Sequence, residues 1–378
     1  MSLPKASNKT RILFVSVVAR LGGAERSLLD LLDEIDRRCF DPFVALPGEG
    51  ELQDALEARS IPIFTVPLER FHRTLNPIRL ANYSAAWNAG CQALSTIVQQ
   101  QSIELIHSNG DIAQLYAYSV ACSEDVPLIW HVRDLTPLKW LRPRLAKNAT
   151  RVVAISSAVR SMLLDSGVPG KKIQVVLNGI DTSPFESVPT PLTAEPVVGM
   201  VSHLYPWKGH KDFLHAAALV REAIPETGFV IAGDDLFNDQ PEYRDELESL
   251  GAELGLEDSV EFLGNCEDVP AALARMHVLA VPSHGEPFGR NVVEAMAAGR
   301  PVVAWDLAGP SEILDNGETG MLVSPYEVEA FAGSIIELLR NREKLESMGE
   351  RGRAVARERF HRSRTASEVQ AIYRELCP

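Results

Sequence analysis

The sequence predicts an α/β protein made of two Rossmann-like, doubly wound parallel-sheet domains facing an interdomain cleft. Three observations lead there. Short apolar runs alternate with segments of helical period. The runs are near-continuous and rich in Val, Ile and Leu, as strands covered on both faces are. The alternation stops once, at residues 180–196, and then starts again.

In the first half the runs are RILFVSVV, FVAL, IPIFTVPL, IELIHSN, PLIWHVRD, RVVAIS and KIQVVLNG. Helix-period segments such as AERSLLDLLDEI and WNAGCQALSTIVQQ separate them. The stretch IDTSPFESVPTPLTAEP has neither period and reads as a linker. Then come PVVGMVSHL, GFVIAGD, SVEFLG, HVLAVPS, PVVAWD and GMLVSP. A helical stretch from Glu343 to Phe360 and a last helix near SRTASEVQAIYREL follow. The expected domains are residues 1–185, joined by the C-terminal helix 362–378, and residues 186–361. Ligands of such sheets bind at the carboxyl ends of the strands. The residues just after each apolar run are therefore the candidates.

Composition narrows the function. The chain has 378 residues, 46% hydrophobic and 23% charged, enough for two or three domains that each bury a core. A net charge of -14 argues against a general nucleic-acid binder. The chain up to Pro189 is close to neutral and the remainder carries nearly all of the negative charge, as two domains with different partners would. Five scattered cysteines with no C-x-x-C pair read as reduced thiols, not a disulfide framework or zinc site. The opening MSLPKASNKTRILFVSVVARLGG puts basic residues before a short apolar run. Arg20 and Gly22-Gly23 end that run, which suits a strand and turn and not a signal peptide. No run reaches transmembrane length. A cytoplasmic location is expected.

Gly22 and Gly23 follow the first strand and precede a helix. Their backbone can turn tightly and offer amides to an anion, or simply make the turn. G-x-G-x-x-G is absent, which counts against a nicotinamide dehydrogenase. Lys208 and Gly209 come just after the first strand of the second half, where a lysine can neutralise phosphate or merely be solvated. His131, near the end of PLIWHVRD, is a cleft histidine or a structural one. His107 and Asn109 in IHSNGD carry the same ambiguity. Asp234-Asp235 can be just a turn.

Glu286 and Glu294 flank Phe288-Gly289. Gly289 is expected to open a helix whose first amides, at Arg290 and Asn291, point at a ligand. One carboxylate lies before that helix and one within it. That separation suits two hydroxyl-bearing groups of one extended ligand better than the close carboxylate pair of a glycosidase. No D-x-D or carboxylate/histidine cluster supports a metal.

Taken together, these pieces resemble glycosyltransferase family 4, a large family of retaining enzymes with the GT-B fold. E-P-F-G-x-x-x-x-E, from Glu286 to Glu294, is similar to its two-glutamate motif. AMAAGRPVVA, Ser311-Glu312, NGETGMLV, Gly22-Gly23, the N-G-I-D of Asn178 to Asp181, Lys208-Gly209, Gly233-Asp234 and the FLG of 262–264 also match. The resemblance covers nearly the whole chain and is strongest from Pro196 to Pro325.

The resemblance implies transfer of a sugar from a nucleotide-diphosphate donor, UDP favoured over GDP, without a metal or other cofactor. Glu294 would hold the ribose hydroxyls. Glu286, with backbone amides near Phe288 and Gly289, would contact the donor sugar. Lys208 and the Gly22-Gly23 loop would bind the diphosphate. His131 would bond a sugar hydroxyl, Leu263 and Gly264 would read the base, and Gly233 and Arg290 complete the donor set. Two positions depart from the family. His203 stands where arginine is usual, and a histidine is only partly charged near pH 7. Bound diphosphate would have to protonate it, or Lys211 or Arg290 would have to substitute. Asn109 stands where many members carry histidine.

The expected acceptor is a glycan or lipid-linked molecule in polysaccharide or glycolipid synthesis. Residues 131–151 carry Arg133, Lys139, Arg142, Arg144, Lys147 and Arg151, with Leu138, Trp140 and Leu141 interleaved. They form either a peripheral membrane contact at the inner membrane face or a solvated helix. The rival readings are a sugar-nucleotide epimerase or hydrolase on the same fold, and a weakly active sugar-nucleotide-binding protein.

Overall fold

The computed structural model describes residues 9–70, 76–135, 140–189 and 195–378. Leu138 and Lys139 of the basic stretch, and the first three residues, lie outside them. The chain divides into two units, Met1–Asn178 with Arg362–Pro378, and Gly179–His361. The division comes a little earlier in the chain than residue 185. Part of the expected linker explains this. Ser183–Glu186 is a short helix with Phe185 buried, and Glu186 pairs with Arg357 at 2.8 Å.

The first unit holds a seven-stranded parallel sheet in the order β3-β2-β1-β4-β5-β6-β7. The strands are β1 (Thr10–Val15), β2 (Phe40–Leu46), β3 (Ile63–Thr65), β4 (Leu105–Asn109), β5 (Leu128–Val132), β6 (Arg151–Ala154) and β7 (Ile173–Val175). The chain order reverses direction across the sheet between β1 and β4, so the strand ends there form the crevice at which such folds bind ligands. β1, β4 and β5 are almost wholly buried, as their unbroken apolar runs require.

Helix Arg362–Leu376 belongs to this unit. Its apolar stripe of Ala366, Val369, Ile372 and Tyr373 packs with Ile12 and Phe14 of β1 and with Phe40. A stripe at this spacing is one helix face. Arg362 anchors its start to Asp33 and Glu34, both at 3.0 Å, and the Thr365 hydroxyl donates to the Leu177 carbonyl.

The second unit holds a six-stranded parallel sheet in the order β10-β9-β8-β11-β12-β13. These strands are β8 (Val197–Val201), β9 (Gly228–Ala232), β10 (Val260–Gly264), β11 (Val278–Val281), β12 (Val302–Trp305) and β13 (Gly320–Val323). Its reversal lies between β8 and β11. One cluster fills its core, with Met200, Phe213, Phe229, Trp305 and Phe331 among its members.

Both sheets are Rossmann-like, and every apolar run named above overlaps one of these strands. Among the described residues no helix is long and apolar enough to cross a membrane.

Candidate functional site

In the second unit the chain leaves β8 through His203 and a short turn at Pro206–Lys208, then enters helix His210–Ala223 at Gly209. Gly209 has φ +80°, and a Cβ there would lie 1.9 Å from the Pro282 carbonyl oxygen. Only glycine lets the turn pack this closely on the segment after β11. The approach fixes Lys208 beside that segment. Its Nζ donates to Glu286 Oε2 at 2.6 Å, with both side chains about one-tenth exposed, and lies 4.1 Å from the centre of the Trp207 ring.

Glu286 begins the loop to helix Arg290–Ala297. Gly309 donates its N–H to the Glu286 carbonyl at 2.9 Å, and Phe288 is buried edge-on against Phe360. Gly289 caps the helix with φ +104°, a conformation that glycine adopts freely. Val292 and Val293 donate their N–H groups back to the Gly289 carbonyl, at 3.1 and 3.3 Å, and the positive end of the helix dipole lies at this mouth. Asn291 donates to the Val201 carbonyl at 3.0 Å and ties the helix to the end of β8. Arg290 and Glu294 face each other one turn apart at 3.6 Å, mostly buried. Glu294 is thus no simple surface charge. The Gly233 N–H donates to the Gly264 carbonyl at 2.8 Å, which joins the ends of β9 and β10, and Leu263 precedes Gly264 within β10.

Lys211, one of the two cations considered as a substitute at His203, pairs with Glu246 at 2.8 Å on an exposed helix face. That leaves Arg290 as the one at the helix mouth. Asp234 and Asp235 serve their own loop, accepting from the N–H groups of Asp235 and Gln240. Among the described residues no three His, Cys, Asp or Glu side chains come together as a metal group.

In the first unit, Gly22 caps helix Gly23–Asp33 and Gly23 opens it. Glu25, two residues on, is 5% exposed. Its carboxyl lies against the Gly22 and Glu25 N–H groups, the backward half of a capping box. Burial raises it to about 7, against the opposing pull of those N–H groups and Arg133. The glycine turn therefore already faces a carboxyl of its own chain, which tempers the expectation of a free anion cradle. Sequence reasoning missed Glu25, although a glutamate at the third helical position was the available signal.

His131 and His107 are both fully buried. His107 Nε2 lies 3.1 Å from His131 Nδ1, and His107 Nδ1 lies 2.6 Å from the Tyr373 hydroxyl. Burial first, and then the nearby Arg133 charge, hold both below the usual imidazole range, His107 at about 3. Arg133 donates to Asn109 Oδ1, to Asn178 Oδ1 at 3.1 Å and to His131 Nδ1 at 3.4 Å. This corrects the reading of residues 131–151 as one basic face. Arg133 and Arg142 are buried, Arg142 against Asp111 at 3.3 Å, and Arg151 pairs with Glu375. Arg144, Lys147 and the two-thirds-exposed Trp140 are left on the surface.

Two family models cover the chain almost end to end. Residues 21–184 match Glycosyltransferase Family 4, and residues 185–355 match Glycosyl transferases group 1. The two models together support a glycosyltransferase of the family 4 type. Anabaena Alr3699/HepE, solved with UDP-glucose, is 27% identical, with TM-score 0.83 over 97% of this chain and 99% of that one. The N-acetyl-alpha-D-glucosaminyl L-malate synthase of Bacillus anthracis is 26% identical over 81% of this chain and 84% of its own length. The D-inositol 3-phosphate glycosyltransferase of Corynebacterium efficiens is 32% identical over 55% of this chain and 50% of its own. The chain spans less than half the length of several other curated relatives. A fold match to sucrose-phosphate synthase of Thermosynechococcus elongatus, 21% identical with TM-score 0.81 over 97% of this chain and 99% of that one, places the chain in the GT-B architecture.

Proposed function

We propose that this glycosyltransferase moves a hexose from a UDP-sugar to a glycan or lipid-linked acceptor with retention of configuration, without a metal. The observation that carries the reading is the Lys208–Glu286 pair beside the Gly289 helix mouth. It sets a cation, a carboxylate and a helix N-terminus at one strand end. Those are the groups that a diphosphate and a neighbouring sugar require. The likeness to a chain solved with UDP-glucose supports a uridine donor.

In this mechanism the diphosphate draws Lys208 away from Glu286, whose oxygens then accept from sugar hydroxyls. Glu294 accepts from the ribose, and Leu263 and Gly264 lie against the base. The C1–O bond to the diphosphate breaks while the acceptor oxygen bonds C1 on the same face. The departing phosphate oxygen takes the acceptor's proton. The protein positions the partners and stabilises charge developing on the diphosphate. Arg290 supplements the partial charge of His203.

A panel of nucleotide sugars in a thermal-shift assay tests the donor, because a bound ligand raises stability by mass action. Product analysis with and without acceptor separates transfer from epimerisation or hydrolysis. Donor consumed equally fast without acceptor would sink the transfer reading. Peripheral membrane contact now rests on Trp140, Arg144 and Lys147. Neutralising both cations should weaken binding to anionic vesicles about thirtyfold, at about 1 kcal/mol per charge.

A further inference from the structure

The first unit contains a hydrogen-bonded chain whose polarity follows from donor and acceptor capacity and from burial. It runs from the Tyr373 hydroxyl to His107 Nδ1, and from His107 Nε2 to His131 Nδ1. Two arrangements of protons satisfy both contacts. Either every group donates toward His131, or every group donates toward Tyr373.

Arg133 decides between them. A guanidinium donates and never accepts. Its Nη2 lies 3.4 Å from His131 Nδ1, and a cation there favours a lone pair on that nitrogen, shared with the closer His107 donor, over an N–H. His107 therefore donates from Nε2, its Nδ1 accepts, and the Tyr373 hydroxyl donates. Burial holds Tyr373 well above its ordinary range, which keeps that hydroxyl protonated. Both imidazoles are neutral for the reasons given above. His131 then has its proton on Nε2. That atom is buried and has no hydrogen-bond partner among the described residues. A buried polar atom left unsatisfied is uncommon and costs stability unless something completes it.

We propose that helix Arg362–Leu376, through Tyr373 and His107, sets His131 as the Nε2–H tautomer so that this N–H donates to an oxygen of a bound substrate. Tyr373 and His107 are positioning residues, and His131 is the group that meets the substrate. The nature of that substrate rests on the glycosyltransferase reading, whereas the proton arrangement does not. Its unusual feature is the origin of the control. Tyr373 stands 266 residues from His107 in the chain, yet its hydroxyl starts the chain that orients a side chain at the end of β5.

Two-bond nitrogen–proton spectra of the full chain with labelled histidines test this without any substrate. His107 and His131 should both appear neutral and protonated at Nε2. An Nδ1–H tautomer at His131 would overturn the proposal. Saturating UDP-glucose, at a concentration that raises the melting temperature, should move the His131 Nε2–H resonance. A resonance that stays put would overturn it too.

Variants add a kinetic readout. Tyr373→Phe keeps the ring against Phe14 and Phe40 and removes the donor. It should mix the His131 tautomers and lower kcat about tenfold, the size of one lost hydrogen bond, with donor KM little changed. His107→Gln retains an N–H donor toward His131 and should restore most of the activity lost in His107→Leu. Equal activity of the two, in proteins that melt like the wild type, counts against the relay. Failure to transfer sugar to any acceptor would refute the preceding section and leave the tautomer result standing as the test of this one.

Discussion

The two sheets reverse at equivalent places, between β1 and β4 and between β8 and β11, yet their crevices hold opposite kinds of chemistry. The first unit places neutral imidazoles, an amide and one buried arginine there, with a carboxyl whose ionisation burial opposes. The second places a charged pair and a helix N-terminus. One crevice is built to fix directional hydrogen bonds, and the other to meet charge. The same backbone plan can therefore carry different chemistry, because the strand-end residues and not the sheet decide the electrostatics.

The charged crevice gives the largest expected effect. Lys208→Ala should lower turnover a hundredfold or more, the size of losing one preorganised charge-stabilising donor. The melting temperature of that variant separates this from lost folding, and near-wild-type turnover would remove Lys208 from the mechanism. The neutral crevice responds to pH instead. Glu25 in the folded state keeps its proton up to about 7, higher than in the unfolded chain. Between the two values the folded state binds more protons, so stability falls as pH rises. Glu25→Gln should remove about 2 kcal/mol of that fall between about pH 5 and 6.5, at 1.36 kcal/mol per unit.

The buried histidines have the opposite sign. His107, His131 and His210 stay neutral when folded, so the stability they hold is lost as pH falls below the ordinary imidazole range. The Glu25 effect is therefore read from the difference between wild type and variant in urea melts at each pH. A parallel pair of curves would contradict it.

A smaller effect is expected at Glu294. Glu294→Ala should weaken nucleotide-sugar binding about tenfold, the loss of one hydrogen-bonded carboxylate, with turnover at saturation little changed. Unchanged donor affinity with slow turnover would argue against a ribose contact. The smallest is at Gly289, where Gly289→Ala should cost about 1 kcal/mol because a side chain strains the left-handed cap.

The sheets were legible because buried parallel strands must be apolar on both faces, which leaves uninterrupted runs that need no knowledge of partners. Gly289 was legible as a helix opener for a similarly local reason. The His107–Tyr373 contact was not. A tyrosine in VQAIYREL looks like any apolar stripe position, and no local pattern says which sheet its hydroxyl will reach. Arg133 misled for the same reason, since a guanidinium held by Asn109 and Asn178 reads in sequence as one more surface cation. The linker was half legible. Its proline and threonine content hid a turn of helix anchored by Phe185 and the distant Arg357.

The course of the chain through its first unit also has a consequence for synthesis. Val369, Ile372 and Tyr373 fill the core around β1 and β2, but a ribosome makes them after every strand of the second sheet. The second unit can close on itself while the first still lacks a wall. The apolar face of β1 and β2 then stays open for the time needed to add some two hundred residues, on the order of ten seconds or more at about 5–20 residues per second. An early stop codon would thus expose the part of the protein that was translated first.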